Sequence, residues 1–461
     1  MGRHFIATLG TSRYTECYYG NPETNEIIMK TPFVQEALFR YLGFTEEDRA
    51  TILVTAKAKE RNWKSYEWTD RGTGEKIKSP GLEATLSHEF PMNQIKTADI
   101  PEGANSQEIW TIFDEIYQIM EEGDEVYFDI THAFRSISMM TLAVLNYARV
   151  LKNIQIKGIY YGAFENQFAD EEGRKIAPIL DVTPFVSIFD WTNAANSFIK
   201  FGHGGPINAL CVQSRSEEPW MRPFGEIANL TNAVDASMGK YITGRKLPNQ
   251  NTSYKSSIYN AYLNFKNKTV EVDAPEGIAA MVNPLFEKVK EKASAFDHPD
   301  SVGIGWAAVE WSIDNNMVQQ GFTALQETII TFMCQHYALA EDDYLEYHNR
   351  EHISKSFTSI IKKNPKNCSK FERNRAIDSL DTDHYFSKCS SRQLDLLNRF
   401  MYEVPDTLIA KFNDIRKIRN QMSHFGFNDE FKTYGKIKEN LEDYYHIVRD
   451  ILEHYERFKR K

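Results

Sequence analysis

The sequence predicts a doubly wound α/β domain on a parallel sheet, followed by two all-α segments. Three observations carry that reading. Over residues 1–190, short apolar runs alternate with stretches of helical spacing. One run, Val126–Ile130, ends in Thr131, His132, Arg135 and Ser136 just as helical periodicity begins. From Trp191 onward the pattern becomes helical and stays so.

Taken in order, the strands are expected at His4–Leu9, Thr51–Thr55, Glu125–Ile130, Ile154–Tyr161 and Ile176–Val182. Helices are expected at Phe33–Tyr41, Ser106–Glu121 and Phe134–Leu151. The stretch Trp63–Gly81 reads as a hairpin or loop insertion. Trp191, Ala194, Ala195, Phe198 and Phe201 mark an amphipathic helix that Gly202-His-Gly-Gly-Pro206 stops. Residues 191–298 read as a polar connecting segment with short helices. Residues 299–461 are nearly all helix, ending in one marked by Ile437, Leu441, Tyr444, Val448, Ile451 and Tyr455.

The chain has 461 residues and a formal net charge of −10, so any contact with nucleic acid must come from a local cleft. The five cysteines form no CxxC pair, which argues for reduced thiols and a cytoplasmic protein. No stretch reads as a signal peptide or a membrane span, so no membrane partner is expected.

Ligands of doubly wound sheets gather at the carboxyl ends of strands, near the switch in strand order. Two polar turns belong there: Gly10-Thr-Ser-Arg13 after the first strand, and Thr131 to Ser136. In the common strand order these two strands are neighbours, so the turns would share one crevice. The second turn delivers a hydroxyl, an imidazole and a guanidinium to a helix N-terminus, a place suited to phosphate. It has no glycine and no Walker lysine. Gly72-Thr-Gly-Glu-Lys76 lacks phosphate-loop spacing as well.

A second constellation lies near the C-terminus. Pro405 to Asn420 reads as a helix on which Leu408, Phe412, Ile415 and Arg419 form one stripe. A charge on such a stripe is rare unless paired or used. His424 follows five residues after Arg419, about 140° around a regular helix. The two converge only if the helix is distorted or a second copy completes the site. An imidazole moves protons and a guanidinium steadies a charged phosphorane, which suits RNA cleavage without a metal.

With these residues in view, the chain resembles the CRISPR-associated CARF–HEPN ribonucleases of type III systems. The resemblance rests on Leu9-Gly-Thr-Ser12, Val54-Thr-Ala-Lys57 with Asn62-Trp63, and Asp129-Ile-Thr-His-Ala-Phe-Arg-Ser136. It continues through Pro184-Phe185, Trp191, Phe198, Trp311-Ser-Ile-Asp314 and Glu327 to Arg419-Asn420 and His424. It implies an α/β Rossmann-like CARF sensor domain (1–190), a helical connecting domain (191–298) and a HEPN ribonuclease domain (299–461). Gly10, Thr11, Ser12, Thr131, His132, Arg135 and Ser136 would then bind a cyclic oligoadenylate, the tetra-adenylate in most members. Arg419 and His424 from two chains would form one composite catalytic site, with Asn420 orienting the motif or a phosphate. The resemblance implies a homodimer or an assembly of dimers. It also implies single-stranded RNA as substrate and a 2′,3′-cyclic phosphate product, with no cofactor and no metal.

Two other readings stand beside this one. His348-Asn-Arg-Glu-His352 matches a zinc motif but lacks a marked third ligand, so solvated helix histidines are expected. The basic segment Lys362-Lys363, Lys366, Lys370, Arg373 and Arg375 would guide RNA or form a plain solvated face. The alternative function is a non-catalytic nucleotide sensor that binds a partner or regulates transcription.

Overall fold

The computed structural model describes residues 2–24, 26–69, 74, 76–89, 94–132, 135–213, 225–235, 258–269, 278–298, 300–337, 347–363, 386, 389–424 and 433–459. Two compact units divide the chain, Met1–Ile188 and Phe189–Lys461.

The first unit is a mixed sheet wrapped by helices. Its strands are β1 (Arg3–Leu9), β2 (Cys17–Asn21), β3 (Glu26–Thr31), β4 (Arg49–Val54), β5 (Tyr66–Thr69), β6 (Lys76–Ser79), β7 (Ile95–Asp99), β8 (Glu125–Asp129), β9 (Gln155–Gly162), β10 (Phe168–Ala169) and β11 (Lys175–Asp181). The main sheet runs β3-β2-β11-β9-β8-β1-β4-β7, with β10 on β11 and with β5–β6 as a separate hairpin. Its helices are α1 (Val34–Tyr41), α2 (Gly81–Glu89), α3 (Ser106–Ile119) and α4 (Arg135–Leu151). All five expected strands and the hairpin form, and β1 pairs directly with β8 as the strand-order argument requires.

The expectation of a parallel sheet needs correction. β9, β8, β1, β4 and β7 are parallel, but β11 runs antiparallel to β9 and β3 antiparallel to β2. A parallel return needs a crossover, usually helical. Residues 163–174 instead carry a single 3-10 turn, Phe164–Asn166, and β10. Two cores line the faces of the sheet. Phe5, Ala7, Ile52 and Val54 pack beneath α1 with Val34, Ala37 and Leu38. Ile6, Leu53, Val126 and Phe128 pack with Ile112, Ile116, Val144 and Leu145 of α3 and α4. Alternation along β1 therefore feeds both cores, the mark of a strand covered on both sides.

The second unit is helical: α5 (Pro184–Phe201, begun in the first unit), α6 (Gly205–Gln213), α7 (Gly225–Asp235), α8 (Ile258–Thr269), α9 (Ile278–Ala293), α10 (Ser301–Asp314), α11 (Val318–His336), α12 (Tyr347–Lys363), α13 (Ser391–Glu403), α14 (Asp406–Ser423) and α15 (Tyr434–Lys459) are its described helices. α5 ends where the sequence places the stop. Gly202 takes φ +67°, and a Cβ there would stand 2.7 Å from the indole nitrogen of Trp311. One apolar cluster runs from Trp191 to Leu452 and draws residues from both 191–298 and 299–461. Among the described residues, no helix is long and apolar enough to cross a membrane.

Candidate functional site

The first site is built on the carboxyl ends of β1 and β8. β8 ends at Asp129, a fully buried carboxyl whose Oδ1 accepts from the Thr131 amide at 2.9 Å and from the Thr131 hydroxyl. The same hydroxyl accepts from the Gly162 amide of β9 at 2.8 Å. This short-range bonding of an Asp side chain two residues on turns the chain sharply. Thr131 is therefore occupied in shaping the turn. The triplet Asp181-Val-Thr183 after β11 repeats the device: Oδ1 of Asp181 accepts from the Thr183 amide and hydroxyl, and that hydroxyl accepts from Ile159 of β9 at 2.8 Å.

His132 follows on the turn, and its ring lies 4.4 Å from that of Tyr14. Its Nε2 is shielded from solvent and has no partner among the described residues. Burial lowers its pKa to about 4, so the ring is neutral at physiological pH. Burial likewise raises Asp129 to about 7, against the hydrogen bonds from Thr131. Asp129 Oδ2 also has no partner among the described residues. Tyr14 joins the two turns, since its hydroxyl accepts the Gly10 amide at 2.7 Å. A Cβ on Gly10 would stand 3.0 Å from that oxygen and 3.2 Å from His132 Cβ, so any side chain there would press Tyr14 and His132 aside by a few tenths of an ångström.

Gly10, Thr11 and Ser12 are fixed from below. Thr55 caps a short helical turn, Ala56–Ala58, which widens into a single π-helical turn, Lys59–Trp63. That turn presents Asn62, which is 1% exposed, and its Nδ2 donates to Gly10 O at 2.7 Å and Ser12 O at 2.8 Å. Arg61 donates to Thr11 O at 3.2 Å. Sequence reasoning gave Asn62 no role and passed over Tyr14. A π-turn is often found at functional sites, but no residue spacing announces one. Arg135 and Ser136 open α4, and their side chains lie outside the described residues. So Gly10 and His132 come together through Tyr14, Ser12 is held by Asn62, and α4 starts beside them.

The second site is the end of α14. The expected stripe forms, with Leu408, Phe412 and Ile415 buried. Arg419 is half-buried and donates to Asn420 Oδ1 at 3.0 Å. His424 is exposed and caps the helix with φ −105° and ψ 26°, its amide donating to Asn420 O at 3.1 Å and Gln421 O at 3.2 Å. No ion pair to Arg419 is formed among the described residues.

The zinc reading finds other company for its histidine. His352 is buried against Cys389, whose Sγ is 3.4 Å from Nδ1, and the side chain of His348 lies outside the described residues. Of the basic segment, residues 364–385 also lie outside them, as do positions 70–73 and 75 of the glycine-rich loop.

Residues 4–165 match the family model for the CARF domain of the CRISPR system endoribonuclease Csx1. The CRISPR-associated protein MJ1674 of Methanocaldococcus jannaschii is 25% identical over 367 residues, covering 76% of this chain and 47% of that protein. This chain is therefore similar, over residues 4–165, to the CARF domain of CRISPR-associated proteins. It spans about half the length of that curated relative. Among solved structures, Enterococcus italicus Csm6 bound to cyclic hexa-2′-fluoro-hexa-dAMP aligns over 98% of this chain and 94% of that one, at 11% identity and a TM-score of 0.35. The matched CARF segment contains both turns, Gly10–Ser12 and Asp129–Ser136, and the clamp at Asn62.

Proposed function

We propose that this CARF protein is a cyclic-oligoadenylate-activated, metal-independent endoribonuclease that cuts single-stranded RNA in type III CRISPR antiviral defence. One observation carries the nuclease half: α14 closes on a guanidinium and an imidazole, with Asn420 bracing Arg419. A sensor alone has no use for that pair. The sensor half is supported by the CARF match and by two polar turns on the paired strands β1 and β8.

Two copies of the chain complete both sites in this reading. A ring of repeating nucleotides is read by identical halves around a two-fold axis. The free face of α4 supports pairing, since Met139 (81%), Tyr147, Val150 (83%) and Leu151 are all exposed. At the ligand site Gly10, Thr11 and Ser12 approach the ring while the α4 N-terminus, with Arg135 and Ser136, receives phosphate. His132, held neutral, takes a ribose or base by hydrogen bonding rather than by charge. At the nuclease site His424 moves the 2′-hydroxyl proton or protonates the leaving oxygen. Arg419 binds the pentacoordinate phosphate with paired hydrogen bonds. The product is a 2′,3′-cyclic phosphate. Ligand binding activates only through a higher affinity for the cleavage-competent arrangement of the pair.

The test mixes purified protein with labelled single-stranded RNA, EDTA and cyclic oligoadenylates of several ring sizes, the tetra-adenylate expected to be best. Cleavage that survives EDTA and disappears in His424→Ala supports the enzyme. Ligand binding without cleavage at any ring size makes the protein a sensor only. Thr131→Ala and His132→Ala should raise the activating ligand concentration; unchanged activation constants would remove both from the site.

A further inference from the structure

α14 carries a second guanidinium that the cleavage chemistry above does not use. Arg416 sits one turn before Arg419 and Asn420, on the side of the helix that also presents the buried Ile409 and Phe412. It is half-buried, and its Nε is shielded from solvent with no hydrogen-bond partner among the described residues. Among the described residues Arg416 makes no ion pair, in a chain whose acidic residues outnumber its basic ones, 64 to 54. Asn413, a turn further back, has a shielded Oδ1 that is also unmet. Along one flank of α14 the order is therefore Asn413, Arg416 and Asn420, with Arg419 beside the last two.

A guanidinium Nε–H cut off from water and without an acceptor is unfavourable in the resting protein. Such a group persists where an incoming anion completes it. Guanidinium groups suit phosphodiesters because their planar fork matches two oxygens at once. The next group along the helix is Arg419, assigned above to the scissile phosphate. We propose that Arg416 is a further phosphate-binding residue of the RNA cleft, gripping a backbone phosphate next to the one being cut. This inference rests on the ribonuclease reading, and it adds a grip on the strand that the reaction chemistry does not need. Asn413 extends the same track with a polar group able to meet a ribose hydroxyl.

The experiment uses the full chain with cyclic tetra-adenylate and a fluorescent single-stranded RNA, read by cleavage and separately by anisotropy. Arg416→Ala is expected to raise KM about tenfold and leave kcat within about threefold. It should also flatten the dependence of log K on log salt by about 0.7, the share of one phosphate contact on a single strand. Arg416→Lys should restore the salt slope and part of the affinity, and Lys417→Ala, the exposed neighbour, should change neither. The melting temperature of Arg416→Lys, which keeps the apolar stem, should stay at the wild-type value. Unchanged KM and salt slope overturn the proposal. A lower melting temperature with loss that lysine does not rescue overturns it too, as does dissociation of the dimer in Arg416→Ala. Wild-type protein that binds RNA through Arg416 but never cuts it would sink the ribonuclease reading and leave the phosphate grip standing.

Discussion

Replacing Asn62 by alanine isolates what holds the first turn in place. Both amide hydrogens are in use, at 2.7 Å to Gly10 O and 2.8 Å to Ser12 O, from a side chain 1% exposed. Ser12 is exposed, so its carbonyl regains water and the net loss there is about 1 kcal/mol. Gly10 is half-buried, and an acceptor left unmet there costs about 1–2 kcal/mol. The total of about 2–3 kcal/mol should lower the melting temperature of the first unit by roughly 4–10 °C. The same loss releases the 10–12 loop from its single conformation. Apparent affinity falls by the fraction of time the loop is correctly placed, so the weakening is capped near a hundredfold. Calorimetric titration with cyclic tetra-adenylate, well below the melting temperature, should show a Kd raised about ten- to a hundredfold. Asn62→Asp should be worse, since a carboxylate donates nothing and faces two carbonyl oxygens. If Asn62→Ala melts earlier yet binds within about twofold of wild type, Asn62 braces the fold and has no part in presenting the loop.

The pH dependence of stability has two opposed limbs. Asp129, raised to about 7, stabilises fully below its unfolded pKa of about 4 and loses that contribution as pH rises through 7. His132, lowered to about 4, contributes fully above about 6.5 and loses it as pH falls toward 4. Between pH 4 and 6.5 the two offset each other. Asp129→Asn keeps an acceptor for Thr131 and should unmask the histidine limb, so that urea-derived stability climbs with pH by up to about 1.4 kcal/mol per unit. An unaltered profile would refute the assignment. Gly10→Ala puts a methyl 3.0 Å from the Tyr14 hydroxyl and should raise the activating ligand concentration at least tenfold with little change in melting, measured by RNA cleavage against ligand titration. Gly81→Ala is a control away from the ligand. At φ +77°, its Cβ would lie 2.4 Å from the Lys64 carbonyl carbon, and thermal unfolding should show a loss of several degrees.

What could be read in advance followed from burial on two faces. β1, β4, β8 and β9 each hold an apolar run, Phe5–Ala7, Ile52–Val54, Val126–Phe128 and Ile159–Tyr161, and covered strands leave that mark. β3 and β7 escaped because edge strands are part-exposed and polar, as in Ile95-Lys-Thr-Ala-Asp99, while β2, paired on both sides, is a short Cys17-Tyr-Tyr-Gly-Asn21 with little apolar run to mark it. The reversed direction of β11 escaped because an apolar run carries no polarity, and only the missing crossover helix betrays it. The helix carrying Arg419 was legible as a charge on a buried stripe. Arg416 obeys the same logic one turn earlier, but its setting among Asn413, Asp414 and Lys417 disguises it as surface. Asn62 depends on a helix widening by one residue, which periodicity cannot register. Tyr14 depends on a contact between two loops far apart in the chain.

The matched pair of Asp-x-Thr triplets changes how that signature should be searched for. Both flank Tyr160, which pairs with Asp129 on one side and Asp181 on the other, and both threonines capture an amide of β9. A pattern found at two strand exits with identical bonding cannot by itself distinguish a receptor from a joint. The discriminating letter is the fourth: histidine after Thr131, proline after Thr183. Genome scans keyed to the triplet alone would therefore collect mere hinges of β-sheets alongside genuine nucleotide receptors.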